Sequence, residues 1–300
     1  MTTFDLDRLM EHAVDMHCHV QNDSCKDPLQ TETTESLIEA CRSGGMHGIV
    51  LKTHGWPAIR LAGNLDTMYK DFRVYPSVTL NATAGGPYPW VVEMAYQLGA
   101  RYIWLPTWSS LNDRNSRVSF TKIMIEQEYN RYFKDIPEEN FYTELNEDGT
   151  LKQNIREVVD LCREHRLILG TGHGSTAEAL AVAEYAKTIG FRKLVFTHPH
   201  VGISEVTDEQ IREFADCGGY IELCMLETEP FSSCMTPENW VRICRMVGFD
   251  RCYLSSDHYW DWKTTIPAQF RKFLAGMHAA GASMAELQVM MDVPMHLLDE

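Results

Sequence analysis

Residues 14–20, VDMHCHV, form a short apolar run that carries two histidines at alternate positions. Side chains alternate between the two faces of a β-strand, which predicts His17 and His19 on one face and Met16 and Cys18 on the other. Two imidazoles on one face of a strand can chelate a divalent cation when the fold brings further ligands to them. The stretch therefore predicts a first strand that carries a chelating pair of histidines.

Apolar runs follow at regular intervals, and helical patterns separate them. The predicted strands are residues 14–20, 48–54, 73–80, 101–107, 166–173, 193–198, 219–224 and 252–257. Ser175 with Glu178, and Ser283 with Glu286, have the form of capping boxes at helix starts. Because helical crossovers between strands favour a parallel sheet, eight such units predict an α/β fold, a closed (β/α)8 TIM barrel.

One interruption of this alternation falls after the fourth strand. Residues 108–146 are polar and aromatic, with a helical pattern near 123–133. A long insertion in a compact domain is typically a lid, a binding loop or an oligomer contact. We therefore expect a single domain over residues 1–300, with 108–146 as an inserted lid or oligomer-contact segment.

Composition narrows the classes of partner. The chain of 300 residues has 44% hydrophobic and 23% charged residues and a formal net charge of -15. Binding to the phosphate backbone of a nucleic acid requires a basic protein surface, so this net charge disfavours a nucleic-acid partner. It disfavours binding to an anionic membrane surface for the same reason. The sequence shows neither a signal-peptide pattern at its start nor an apolar run of roughly 20 residues. These features predict a cytoplasmic protein, expected to be a homo-oligomer, that acts on a small molecule.

The cysteines do not suggest a disulfide framework. There are 9 of them, and no two have CxxC spacing. Disulfide scaffolds and thiolate zinc knuckles show tighter spacing than this. Most of the cysteines are predicted to be reduced, buried residues.

Titratable residues of metal-binding type stand at the ends of several predicted strands. In a barrel, catalytic groups lie at the carboxyl ends of the strands. The residues found there are His17 and His19 on strand one, Lys52 and His54 on strand two, His173 on strand five, His198 on strand six and Asp257 on strand eight. Core packing gives no reason for histidines to gather at one end of several strands, so this pattern predicts metal ligation.

This order of residues resembles the amidohydrolase superfamily of metal-dependent hydrolases, from His17 to Asp257. The segments LKTH (51–54), WLPT (104–107), TGH (171–173) and THP (197–199) resemble a poorly characterised branch of it. The resemblance implies that the metal ligands are His17, His19, His173, His198 and Asp257. Catalytic roles are predicted for Asp257, which would orient a water and move its proton, and for Lys52 and His198.

One position departs from the superfamily pattern. Many members bridge two metals with a carbamylated lysine or a glutamate on strand four, and this strand ends in Pro106-Thr107. Lys52 could replace that ligand as a bridging carbamate in a binuclear site, because desolvation would lower its pKa. Alternatively, the site holds one ion and Lys52 acts on the substrate. Imidazole and carboxylate ligands suit Zn²⁺ first, with Mn²⁺, Fe²⁺ or Ni²⁺ as alternatives.

Further residues are candidates for contact with the substrate. His54, His200 and His258 are displaced from ligand positions, so each could support the ligands, face the substrate or have a purely structural role. Arg114 and Arg117 on the insertion could clamp a carboxylate or phosphate, or could form a solvated loop face. Aromatic residues are expected at the barrel mouth, where they would stack on substrate or cover the core: Trp104, Trp108, Tyr88, Trp90, Tyr259, Trp260 and Trp262.

The function predicted from these residues is metal-dependent hydrolysis of a small cyclic or aromatic amide, lactone or ester by a metal-activated water. The alternative is a zinc-dependent, non-oxidative decarboxylase of an aromatic or unsaturated carboxylic acid, which the missing strand-four bridge favours. A ligand-sensing barrel without turnover is a third possibility. The presence of Asp257 argues against it, since a pure binder needs no positioned base.

Overall fold

The computed structural model describes residues 5–21, 23, 32–122, 135–258 and 264–299. It contains eight parallel strands that neighbour one another in chain order. They are β1 Val14–His19, β2 Gly48–Lys52, β3 Arg73–Thr79, β4 Tyr102–Trp104, β5 Ile168–Gly170, β6 Leu194–Phe196, β7 Tyr220–Cys224 and β8 Cys252–Ser255. The chain beyond β8 returns to β1, where the Asp257 N–H donates to the His17 carbonyl at 2.8 Å and Cys18 pairs with His258. The predicted (β/α)8 barrel is confirmed.

Helices cover the outer face of the strands. The longer ones are Thr34–Ser43, Ile59–Met68, Pro89–Gln97, Gln153–Glu164, Thr176–Ile189, Asp208–Asp216, Pro237–Val247, Ile266–Ala279 and Met284–Asp299, and short ones are Leu6–Met10 and Leu111–Asn115. Ser175 and Glu178 form the predicted capping box. At the start of the last helix, Ser283 and Glu286 also bond reciprocally as predicted. None of the helices in the described ranges is long and apolar enough to cross a bilayer.

Two apolar layers fix which strand residues point inward. An outer layer packs between strands and helices, and an inner one fills the barrel. The inner layer includes Tyr102, Trp104 and Tyr253, and Val293 and Leu297 of the last helix close the barrel below them. Apolar packing therefore occupies the lower barrel, and polar side chains are left to the carboxyl ends of the strands.

The faces of β1 differ in one respect from the prediction. Met16 lies in the inner layer and Cys18 in the outer one, although both were expected on the same face. The pairing register with β2 shifts between Asp15 and Cys18. Such a bulge inserts an extra residue and reverses the alternation of faces. As a result both His17 and His19 can point into the barrel above Met16.

The described part of the insertion folds back onto the barrel. It includes the helix Leu111–Asn115 and a 3-10 turn, Glu138–Asn140, and Ser110 pairs with Tyr142. The helical pattern predicted near residues 123–133 lies outside the described residues. Two side chains of the insertion, Ser110 and Asn112, donate to the His173 carbonyl at 3.1 and 3.0 Å. The insertion is therefore anchored to the chain directly after β5.

Near the end of the insertion, Glu144 is buried beside Glu178, whose Oε1 accepts from the Glu144 backbone N–H at 2.9 Å. Burial first, and then the neighbouring Glu178, hold the pKa of Glu144 well above its usual range. The Glu144 carboxyl is therefore protonated at pH values at which an exposed glutamate is ionised.

Replacing Glu144 by glutamine is expected to remove a pH-dependent loss of stability. The unfolded chain releases this proton near pH 4.5, whereas the folded chain keeps it to higher pH. The stabilisation is complete below the unfolded pKa and is lost as the pH rises towards the folded pKa, at about 1.4 kcal/mol per pH unit. Urea unfolding at pH 5 and pH 8 should show the variant gaining on the wild type at pH 8. Glu147→Gln, at an exposed position, is the control, and identical pH dependence of wild type and Glu144→Gln would contradict this.

Candidate metal centre

Two histidines of β1 and one aspartate beyond β8 meet inside the barrel mouth. Asp257 Oδ1 lies 3.0 Å from His17 Nε2 and 2.9 Å from His19 Nε2. All three residues are buried, and one ligand atom from each lies within 4.8 Å of the others. The structure thus brings together three predicted ligands from the two ends of the chain.

Buried carboxylates hold the outer nitrogens of three histidines. Nδ1 of His17 lies 2.9 Å from Glu222 Oε1, and Nδ1 of His19 lies 2.7 Å from Asp23 Oδ2. Nδ1 of His173 lies 3.0 Å from Asp113 Oδ1. Since an ionised carboxylate only accepts hydrogen bonds, we assign the proton to Nδ1 in each pair, which turns Nε2 towards the centre. Carboxylates of this kind fix the tautomer and ring orientation of metal-binding histidines.

His198 supplies a buried nitrogen that has no partner. Its Nε2 makes no hydrogen bond among the described residues, while its backbone N–H donates to Glu222 Oε2 at 2.7 Å. Its ring centroid lies 5.0 Å from that of His173 and 5.6 Å from that of His17. Burial, and then repulsion from His173, lower the pKa of His198 to about 3, so the ring is neutral. An unsatisfied imidazole nitrogen in a polar centre fits a cation ligand.

Lys52, at the end of the neighbouring strand β2, also reaches the centre. It is fully buried, and its Nζ is 2.7 Å from His17 Nε2 and 5.3 Å from the centroid of the Trp104 ring. Burial lowers the pKa of Lys52, although Asp257 and Glu222 oppose the shift. A larger neutral fraction makes the amine a better base and nucleophile.

Charges in the centre are strongly coupled. Burial is the largest single influence on His17 and disfavours its charged form, but the attraction and hydrogen bond of Asp257 together with the attraction of Glu222 outweigh it and raise the pKa of His17 to about 9. Burial alone would raise the pKa of Asp257, but the neighbouring His17 and His19 hold this pKa well below its usual range. Asp257 is therefore an ionised carboxylate at neutral pH. A cation bound at His17 Nε2 would replace a proton there.

The predicted substrate-facing residues occupy different places. His54 belongs to the centre, because its ring centroid is 4.5 Å from that of His19 and its Nδ1 is 3.0 Å from Thr107 Oγ1. Trp104 is fully buried, with its ring centroid 5.6 Å from that of His17, and forms part of the floor below the centre. The backbone N–H of His200 donates to Glu227 Oε1 at 2.9 Å, and Nε2 of His258 lies 3.2 Å from Glu32 Oε2.

The remaining candidates lie away from the three central ligands. Arg114 stacks over the Phe141 ring, with its guanidinium carbon 4.6 Å from the ring centroid, and Arg117 is exposed. Tyr88 and Trp90 stack on each other at 4.5 Å. The described contacts therefore do not bring these four to the centre. Trp108 does approach it, 4.9 Å from His54 between ring centroids. Tyr259, Trp260 and Trp262 lie outside the described residues.

Four acidic residues in this centre were not predicted as site residues. Glu222, Asp23 and Asp113 hold histidines, as described above. Asp15 accepts from the backbone N–H groups of His17 at 3.1 Å and Ser256 at 3.0 Å. Glu222 faces inward with Tyr220 on β7, and strand alternation predicts only that these two residues share a face. Asp113 belongs to the insertion, and nothing in its local sequence links it to His173.

Comparisons with known proteins agree with this architecture. The model of a family of unknown function, DUF6282, matches residues 12–222. No curated protein sequence matches the chain. An amidohydrolase from Pseudomonas aeruginosa has a similar structure, with a TM-score of 0.63 and 11% identity over 99% of this chain and 100% of that one.

Two further solved structures are similar. One is a probable dipeptidase from Pseudomonas aeruginosa, with a TM-score of 0.64 and 13% identity over 95% of this chain and 94% of that one. The other is a putative 2-pyrone-4,6-dicarboxylic acid hydrolase from Pseudomonas putida, with a TM-score of 0.55 and 15% identity over 96% of this chain and 97% of that one. At these identities the likeness concerns the fold, and the predicted resemblance is confirmed at that level: the chain belongs to the family of unknown function DUF6282 and has the barrel fold of the amidohydrolase superfamily.

Proposed function

We propose that this protein is a metal-dependent hydrolase whose substrate is a small cyclic or aromatic amide, lactone or ester. The observation that carries the proposal is the set of histidines held from behind by carboxylates, with Asp257 at their centre. Core packing alone gives no reason to bury so many ionisable groups at one end of a barrel. These groups converge from β1, from β2 and from the chain after β5, β6 and β8.

The residues proposed to hold the ion are His17, His19, His173, His198 and Asp257, with Lys52 as a further ligand if it is carbamylated. A bound divalent cation, for which zinc is the first candidate, would supply Lewis acidity and lower the pKa of a water. Neutral His198 and the Nε2 atoms of His19 and His173 suit such an ion as donors. Arrangement and chemistry of the donor set therefore fit the metal that the resemblance implies.

Asp257 is proposed to move the proton. Its carboxylate is ionised at neutral pH and held at Oδ1 by His17 and His19, which leaves Oδ2 to accept a proton from water. The same group can then donate that proton to the leaving group. We propose that Trp104 and Lys52 contact the substrate from below and that His54 contacts it from the side of β2.

A lactone is the favoured substrate within this class. The putative pyrone dicarboxylic acid hydrolase with a similar fold is named for a cyclic ester. Decarboxylation of an aromatic or unsaturated acid is kept as the second candidate, because β4 is followed by Pro106-Thr107 and provides no bridging carboxylate or lysine. Thr107 Oγ1 instead bonds His54 Nδ1 and Asn81 Nδ2. Cytoplasmic location and a homo-oligomer belong to the same proposal.

The test is metal analysis combined with two activity readouts. Protein purified with zinc is expected to retain the ion and to release acid from lactones or esters, and chelation should abolish this activity. The double variant His17→Ala/His19→Ala should lose both the ion and the activity. His12→Ala, which changes a surface histidine that bonds Asp292, is the control. Full metal retention by the double variant would overturn the metal centre, and carbon dioxide release without acid release would favour the decarboxylase.

A further inference from the structure

Six of the eight large apolar side chains that are exposed in the described part of the chain lie in one area of the barrel's outer surface. They belong to two consecutive helices, Ile59–Met68 between β2 and β3 and Pro89–Gln97 between β3 and β4, and to residues next to these helices. Exposed apolar residues normally scatter singly over a surface, so a cluster of six requires an explanation. The six, here called the apolar face, are Trp56, Leu61, Met68, Trp90, Met94 and Leu98, with exposed fractions of 80, 38, 70, 64, 61 and 42%.

The second of these helices presents its apolar residues as a stripe. Trp90, Met94 and Leu98 follow one another at intervals of four residues, which places them along one side of a helix. Glu93 lies on another side, where its Oε2 is 2.7 Å from Nε2 of His165 at the end of the next long helix. The stripe is therefore not the side by which this helix contacts that neighbour.

The first helix carries Leu61 and Met68, which are seven residues and so about two turns apart. Trp56 comes shortly before this helix in the chain. Thr83 Oγ1 donates to the Gly55 carbonyl at 3.0 Å, so the turn that carries Trp56 is bonded to the loop that leads into the second helix. Since each helix is only about 15 Å long, the six side chains share one limited area.

The apolar area of this face is close to what a dimer needs. A whole aromatic side chain has about 150–250 Å² of surface and an aliphatic one less, so the six exposed fractions leave roughly 500–800 Å². A standard interface takes about 800 Å² from each partner, and about 65% of a homodimer interface is apolar, which is roughly 500 Å². The apolar face therefore supplies the apolar area of a dimer interface of standard size.

Charge indicates which partner fits the face. The chain has a net charge of -15, so most pairs of its surfaces repel each other. The charged residues of the two helices are Arg60, Asp66 and Glu93. Asp66 pairs with Arg73 at 3.0 Å, and Glu93 contacts His165. A two-fold contact brings the same surface from both chains together, which a face without net negative charge allows. A basic partner would instead be attracted to the acidic surfaces elsewhere.

We propose that the apolar face is the contact between two copies of this chain in a two-fold symmetric dimer. This inference assigns a surface to the homo-oligomer of the proposed function. It does not depend on the hydrolase assignment, because the contact lies on the outer surface of the barrel and the metal centre lies inside its mouth.

Sedimentation velocity of the metal-loaded protein, from about 0.1 to about 100 µM, tests the proposal. The wild type is expected to sediment as a dimer. Met68→Glu and Met94→Glu should each raise the dissociation constant at least about 10-fold, because each would bury a carboxylate at the contact. Both positions are exposed, so the melting temperature should stay unchanged. Val289→Glu, an equivalent change at an exposed apolar position on the last helix, is the matched control and should dimerise as the wild type does.

Hydroxyl-radical footprinting locates the contact independently of the variants. Met68 and Met94 should be protected from oxidation at high protein concentration and not at low concentration. Phe231, which is exposed outside the face, should react equally at both concentrations.

The proposal is overturned if the wild type is a monomer at about 100 µM, if the two methionine variants dimerise as the wild type does, or if Val289→Glu dissociates the dimer equally. Equal oxidation of Met68 and Met94 at both concentrations would also overturn it. Binding of the wild type, but not of Met94→Glu, to vesicles of phosphatidylcholine and phosphatidylglycerol would assign the face to a membrane instead. None of these outcomes concerns the hydrolase proposal, which metal content and activity test separately.

Discussion

Replacing Asp257 by asparagine is expected to lower turnover by about 10²–10⁴-fold, the usual contribution of a positioned acid-base group. An amide is isosteric with the carboxylate but accepts no proton at neutral pH, so the proton transfer assigned to Asp257 is lost. The fold should tolerate the change, because Asp257 has φ of 52° and asparagine adopts left-handed backbone more readily than most residues. Metal should be retained through the four histidines.

Turnover and metal content have to be measured on the same preparation. The substrate is whichever lactone, ester or amide the wild type hydrolyses, and kcat is compared after zinc loading. Asp216→Asn, at an exposed position that ends the helix Asp208–Asp216, is the matched control and should retain wild-type kcat. Near-normal kcat in zinc-loaded Asp257→Asn would show that another group moves the proton. Loss of the metal would instead identify Asp257 as an essential ligand.

Replacing Glu222 by glutamine is expected to weaken metal binding by about 10–100-fold, the usual cost of removing a carboxylate behind a histidine ligand. Glu222 is buried and accepts from His17 Nδ1, Ser255 Oγ and the His198 N–H, at 2.9, 2.7 and 2.7 Å. Glutamine has one oxygen and cannot satisfy all three donors. The NH₂ group of the glutamine would face the proton on His17 Nδ1 or the backbone N–H of His198, and two donors would then oppose each other. A change of the His17 tautomer would move its proton from Nδ1 to Nε2, the nitrogen that faces the ion.

Competition with a chelator of known affinity measures this effect without a substrate. Ser255→Ala removes one donor to Glu222 and leaves both histidine contacts, so its metal affinity should fall less than that of Glu222→Gln. Glu213→Gln, an exposed change on the helix before β7, is the control. Equal metal affinity of Glu222→Gln and wild type would mean that His17 does not depend on this carboxylate for its tautomer.

The barrel could be predicted from the sequence because its apolar runs and helix signals recur in chain order. The strands β4, β5 and β6 are shorter than predicted, at three residues each. The polar residues that follow them leave the ladder to form the loops of the centre. The bulge in β1 could not be predicted, since Asp15 and Met16 give no local sign of a register shift.

In the proposed metal centre, the candidate ligands could be predicted from the sequence, but the residues that support them could not. His17, His19 and Asp257 could be identified by position at the strand ends, and the structure places them together. Asp23 and Asp113 could not, because each lies in a loop and meets its histidine only after the barrel has closed. Glu222 lies on an inward face of β7, but alternation alone does not say which of two faces is inward.

The contact between His19 Nε2 and Asp257 Oδ1 joins residues 238 positions apart in the chain. During synthesis, β1 leaves the ribosome long before β8, so the metal centre cannot be completed until nearly all of the chain is available. Contacts of such long sequence separation close late and slow folding. A metal that binds only the closed barrel would favour the folded state by mass action. Metal supply would therefore influence how much of the newly made protein remains folded, in addition to its activity.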